Sequence, residues 1–183
     1  MNKIITILCI CFFFSCKSKI PESKKVSENS IENEEEYVDI IGPFNRNDLN
    51  YEPHSQWFKE NYKNYDLDNK IAKKIKPLIK DIEITVFMGT WCSDSRRDTP
   101  AFFKLMDFLK INDKRLELIA MTLEKTTPNS LEKGLEIYNI PTFIFKKDGI
   151  EINRIVEFPI ESIEKDIFKI LNSEDYKHAY ADF

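Results

Sequence analysis

Ile82 to Pro100 reads IEITVFMGTWCSDSRRDTP, and the rest of the chain can be placed around these residues. Ile82-Glu83-Ile84-Thr85-Val86-Phe87-Met88 is rich in β-branched residues and nearly uncharged, the pattern of a strand buried on both faces. Gly89 and Thr90 end it, Trp91-Cys92-Ser93-Asp94-Ser95 follows, and the residues from Arg96 to Ile111 read as helix. A cysteine where a buried strand gives way to a helix is placed for reactivity. The unpaired N–H groups and positive end of the helix favour the thiolate, and such settings lower a thiol pKa from about 8.5 to roughly 3.5–7.5. The thiolate is the nucleophile of thiol–disulfide exchange.

Trp91-Cys92-Ser93-Asp94-Ser95 resembles the W-C-x-x-C signature of the thioredoxin family, with serine at the second cysteine position. Pro100 falls where family members carry a helix-kinking proline, and Ile140-Pro141-Thr142 is similar to the family's cis-proline loop. The resemblance runs from Glu83 to Leu171. It implies an α/β thioredoxin-like fold, a central mixed β-sheet flanked by helices, here with an N-terminal helical extension. It also implies that Cys92 exchanges with protein thiols or disulfides. Ile140–Pro141 would be cis and lie beside the cysteine, so that Trp91, Ile140, Pro141 and Thr142 meet an extended substrate. Three family features are missing. Ser95 has no sulfur, Val86 stands where members keep a buried aspartate for proton transfer, and no lysine partner matches near Ala120 and Met121.

Composition sets the outer bounds. The 183 residues are 42% hydrophobic, enough for a core, and 32% charged, with net charge −4 and no basic block of the kind that binds nucleic acid. Cys9, Cys11 and Cys16 lie at the N-terminus and only Cys92 belongs to the folded part, so a disulfide framework is excluded. His54 and His178 are far apart, and neither is at a zinc-like spacing from Cys92. Neither a metal nor another cofactor is expected.

Residues 1–15 read as a lipoprotein-type signal peptide. Lys3 is a basic flank, Ile4 to Phe14 is an apolar run too short to span a bilayer, and Ser15 precedes Cys16. The pattern resembles a bacterial lipoprotein signal cleaved before Cys16, which would carry the lipid and hold the protein at the cell envelope, facing the periplasm. An ordinary secretory signal and an uncleaved anchor are the alternatives. Residues 16–36 are mostly Lys, Ser, Glu and Asn and read as a flexible tether; about twenty such residues span roughly 25 Å.

Residues 37–183 form the folded domain. Tyr37 to Ile41 suggests an edge strand stopped at Gly42-Pro43. Ser55 can cap a helix bearing Trp57, Phe58, Tyr62 and Tyr65, and Asp68 can cap a second with Ile71, Ile75, Leu78 and Ile79 on one face. Leu116 to Met121 reads as strand and Ser130 to Tyr138 as helix. Asp148-Gly149 joins Thr142–Phe145 to Ile150–Val156 as a hairpin. A last helix begins at Ile160, and Tyr176 to Phe183 reads as a loose tail.

Cys92 is the expected nucleophile. Ser93 and Ser95 offer hydroxyl donors to its thiolate, and Arg96 and Arg97 add positive charge that Asp94 opposes. Without a resolving sulfur at Ser95, an attack on a disulfide stops at the mixed disulfide until an outside thiol, protein or small molecule, completes it. Three readings follow: a monothiol exchange enzyme, a binding module for extended or cysteine-containing chains, and a structural domain with no site.

Overall fold

The computed structural model describes residues 38–182. The signal, the tether and Cys16 lie outside the described residues. Five strands form one mixed sheet in the order β1-β3-β2-β4-β5: β1 (Gly42–Pro43), β2 (Ile82–Met88), β3 (Leu116–Ala120), β4 (Thr142–Lys147) and β5 (Ile150–Val156). β2 and β3 are parallel, and every other pairing is antiparallel. The helices are α1 (Ser55–Asn64), α2 (Asn69–Ile75), α3 (Ser93–Leu109) and α4 (Ile163–Leu171). No helix of the described residues is long and apolar enough to cross a membrane.

Strand periodicity divides the core. Ile84, Val86 and Met88 of β2, Leu116 and Leu118 of β3, and Phe143 and Phe145 of β4 face one side. There they pack with Phe58 of α1, Ile75 of α2, Phe102 and Phe103 of α3, and Ile163 and Ile167 of α4. Phe87, Ile119 and Ile144 face the other side and meet Ile137, Ile140, Leu131 and Leu135. All four helices therefore cover one face, while an irregular segment covers the other.

That segment corrects the sequence reading, which placed a helix at Ser130–Tyr138. The chain makes a short 3-10 turn at Pro128–Ser130 and then continues through turns. Asn129, Ser130, Gly134 and Glu136 all take positive φ. The Thr127 hydroxyl accepts the Leu131 N–H at 2.8 Å and donates to the Glu132 carboxylate, which also accepts the Thr127 N–H at 3.1 Å. Local side-chain bonds of this kind compete with the helical ladder.

Other boundaries move for identifiable reasons. Residues 38–41 form no strand, because the Ile40 N–H goes to the Thr90 hydroxyl at 3.1 Å; pairing with β3 falls instead on Gly42 and Pro43. Pro43 is tolerated because β1 is an edge. α1 is preceded by His54 at the cap position, and Ser55 is its first helical residue, with its hydroxyl donating to Glu52. Asp68 caps α2 as expected, accepting the Lys70 and Ile71 N–H groups at 2.8 and 3.1 Å. α4 begins at Ile163 after the Ser162 cap, since the Asp166 carboxylate draws in the Ile160 and Glu161 N–H groups at 2.5 and 3.1 Å. The same carboxylate accepts the Tyr176 hydroxyl at 2.9 Å, and the Tyr176 carbonyl accepts Asn153 Nδ2 at 3.0 Å. Tyr176 is buried, so the expected loose tail is pinned at its start.

α3 begins at Ser93, three residues before the expected Arg96, and stops at Leu109 with Lys110 in the left-handed region. Pro100 stands inside it and has no N–H for the Arg96 carbonyl one turn earlier. Asn61 of α1 supplies the donor, its Nδ2 reaching that carbonyl at 3.1 Å.

Candidate active site around Cys92

β2 ends at Met88, and the Cys92 N–H donates back to the Gly89 carbonyl at 3.0 Å, closing a tight turn. Cys92 takes extended φ/ψ and occupies the N-cap of α3, with its carbonyl accepting the Arg96 N–H at 3.0 Å. The side chain is half-buried and free, and Sγ lies 3.4 Å from the Ile140 carbonyl oxygen as a thiol donor. No other cysteine is present among the described residues.

Trp91 stands beside it. Its Nε1 donates to the Met121 carbonyl at 2.9 Å, holding the indole over Gly89. A Cβ at position 89 would come within 2.7 Å of that ring and 2.9 Å of Ile140 Cδ1, so the site needs glycine for space.

The Ile140–Pro141 peptide is cis. Several bonds fix this loop. The Thr142 hydroxyl donates to the Asn139 carbonyl at 2.6 Å, and the Glu157 N–H to the Pro141 carbonyl at 2.7 Å. Lys125 Nζ donates to the Tyr138 carbonyl at 2.5 Å and reaches Asn139 Oδ1 at 3.5 Å. Between the loop and the head of α3 opens a pocket of about 350 Å³, lined by Trp91, Cys92, Ser93, Asp94, Lys125, Asn139, Ile140 and Glu157.

The structure thus brings Trp91, Cys92 and Ile140 together on one pocket. Ser95, Pro141 and Thr142 are buried behind it. Ser95 Oγ accepts the Gly89 N–H at 3.1 Å, and no bond joins it to the sulfur among the described residues. Arg96 and Arg97, expected to supply positive charge, do not line the pocket. Arg96 Nε donates to the Thr90 carbonyl, and its guanidinium lies over the Trp57 ring at 5.8 Å. Arg97 bridges Asp94 at 2.6 Å and Asp98 at 2.7 Å. Burial pushes the Asp98 carboxyl up even against this partner. The cation lining the pocket is Lys125, and its carboxylates are Asp94 and Glu157.

Lys125, Asn139 and Glu157 carry no sequence signal, since each sits in an ordinary polar stretch far from residue 92. Thr90 is a further contributor. Its hydroxyl accepts the Ile40 N–H at 3.1 Å and donates to Asp39 at 2.6 Å, which ties residues 39–40 to the turn before Trp91. Val86, at the expected acid position, is fully buried in the apolar core. No group of three or more His, Cys, Asp or Glu among the described residues could hold a metal ion.

The chain is similar to several known proteins. Thioredoxin H2 of Arabidopsis thaliana is 28% identical over 102 residues, covering 56% of this chain and 68% of its own length. Among solved structures, mitochondrial thioredoxin 3 of Saccharomyces cerevisiae in its oxidized form is 25% identical, over 52% of this chain and 86% of that one, with a TM-score of 0.32. A protein of unknown function from Pseudomonas aeruginosa is 13% identical over 65% of this chain and 81% of its own, with a TM-score of 0.47. A family model described as thioredoxin matches residues 44–169, well over half the sequence, and with the mixed sheet and the cysteine at the head of α3 the chain belongs to the thioredoxin family.

Proposed function

We propose that this protein performs monothiol thiol–disulfide exchange through Cys92, resolved by an external thiol, while tethered to a bacterial envelope membrane through lipid on Cys16. The observation that carries the reading is Cys92 itself: half-buried at the N-terminus of a seventeen-residue helix, open to a pocket, and alone among the described residues as a cysteine. In thiol–disulfide exchange the thiolate is the attacking form. That thiolate attacks one sulfur of a partner disulfide, a new S–S bond forms to Cys92, and the second partner sulfur leaves with the electron pair. Ser95 cannot attack the adduct, so a protein or small-molecule thiol displaces the partner or Cys92 in a second exchange.

The test is to quench the protein by alkylation and separate it without reductant. Higher-mass species that vanish with reductant and are absent in Cys92→Ala are expected. Ser95→Cys should shorten their lifetime and confer dithiol reductase activity, because i and i+3 positions meet on the first turn of a helix. Absence of any Cys92-dependent adduct under both oxidising and reducing poise sinks the exchange reading. Val86 in place of an acid and Ser95 bonded to Gly89 rather than to the sulfur favour the second reading, a non-catalytic binding module, in that event.

A further inference from the structure

We propose that the polypeptide engaged by Cys92 is read a second time, in a groove beside the cysteine pocket, as an extended segment with an aromatic or branched aliphatic side chain near its cysteine. This deepens the exchange reading and rests on it. The groove holds about 740 Å³, against about 350 Å³ for the cysteine pocket, and lies between the 136–139 loop, β5 and residues 178–181. The two adjoin. Asn139 lines both, and Glu157 of the pocket directly follows Val156 of the groove.

The walls specify the occupant. Tyr138 is 73% exposed, Ile152 41% and Tyr180 36%, an unusual gathering of large apolar side chains on one surface. Arg154 does not present a free charge there. It forks onto Glu151 at 2.6 and 2.7 Å and donates to the Leu135 carbonyl at 2.7 Å. Burial and Arg154 lower the His178 pKa, and its Nδ1 accepts the Tyr180 N–H at 3.2 Å. β5 is an edge strand, a form of surface that extended peptides use as a template. The shape is also held in advance, by Arg154 between β5 and the loop and by the Tyr180 hydroxyl donating to Glu157. A small thiol fits the cysteine pocket alone, whereas a polypeptide that reaches the sulfur can occupy both.

The experiment uses the reduced full chain and compares two electrophiles for Cys92. One is dithiodipyridine; the other is a set of cysteine peptides activated as pyridyl disulfides, with one phenylalanine moved through successive positions on either side of the cysteine. In each peptide reaction the Cys92 thiolate bonds to the peptide sulfur, the peptide–pyridyl S–S bond breaks, and thiopyridine leaves with the electron pair and takes up a proton. Relative to dithiodipyridine, at least one phenylalanine position should react about tenfold faster than its serine counterpart, the least that burying an aromatic side chain supplies. That advantage should collapse in Tyr138→Ala and in Ile152→Ser, both exposed positions where folding is not at stake. Equal rates for phenylalanine and serine peptides, or an advantage that survives both substitutions, overturns the groove while leaving exchange intact. Failure of dithiodipyridine itself to modify Cys92 brings down the exchange reading and the groove with it.

Discussion

Gly89 shows how much of the site depends on one missing methyl group. The residue sits between strand and cysteine, with the Trp91 indole and the Ile140 side chain closing over the space a Cβ would need. Overpacking of this kind costs about 1–3 kcal/mol. Gly89→Ala should lower stability by that amount in urea unfolding. In a Trp57→Phe background it should also shift the Trp91 fluorescence, as the indole gives up its bond to the Met121 carbonyl. Unchanged stability together with unchanged fluorescence would mean that the ring is not held as described. At this scale the sequence was informative where chemistry is written in adjacent residues. Trp91 and Cys92 stand together in the chain, so their candidacy was visible. Lys125 and Glu157 reach the same pocket only because β3 and β5 deliver the residues beyond their ends to it, and nothing local to either residue announces that.

Elements were legible in proportion to how local their signals are. β2 is an unbroken apolar run, and the β4–β5 hairpin carries Asp148-Gly149, both at positive φ as a tight hairpin turn requires. Residues 130–138 have a helix-like composition, but Thr127 and Glu132 claim the first N–H groups and the chain turns instead. The α1–α3 contact makes a sharper case. Pro100 leaves the Arg96 carbonyl without its helical donor, and Asn61 replaces it from another element. Asn61→Ala should cost about 1–2 kcal/mol, the usual penalty for an acceptor left partly buried and unpaired. Restoring the N–H with Pro100→Ala should recover part of that loss in the double variant. Strict additivity of the two changes in a double-mutant cycle would show that the carbonyl is not what couples them.

For the molecule as a whole, the α/β class and mixed sheet followed from the order of elements, whereas the placement of all four helices on one face did not. That asymmetry arises because the segment between β3 and β4 does not become a helix, which leaves Ile137, Ile140 and Leu131 to cover Phe87 and Ile144 directly. The cis-proline loop and the wall of the groove are thereby one continuous piece of chain. The tether belongs to this scale too. If the reading of residues 1–16 holds, Cys16→Ser releases the protein from membranes or blocks its processing, as membrane fractionation and intact mass would show. A Cys16→Ser protein that is still processed and still membrane-bound ends the lipoprotein proposal.

The bonds at Thr90 give the N-terminal segment a mechanical meaning. Asp39 and Ile40 grip one threonine hydroxyl, and the next two residues along the chain are Trp91 and Cys92. A load applied to the chain ahead of residue 39 is therefore carried in part by the turn that aims the sulfur. Thr90→Val removes this direct path from the N-terminal segment to the cysteine turn.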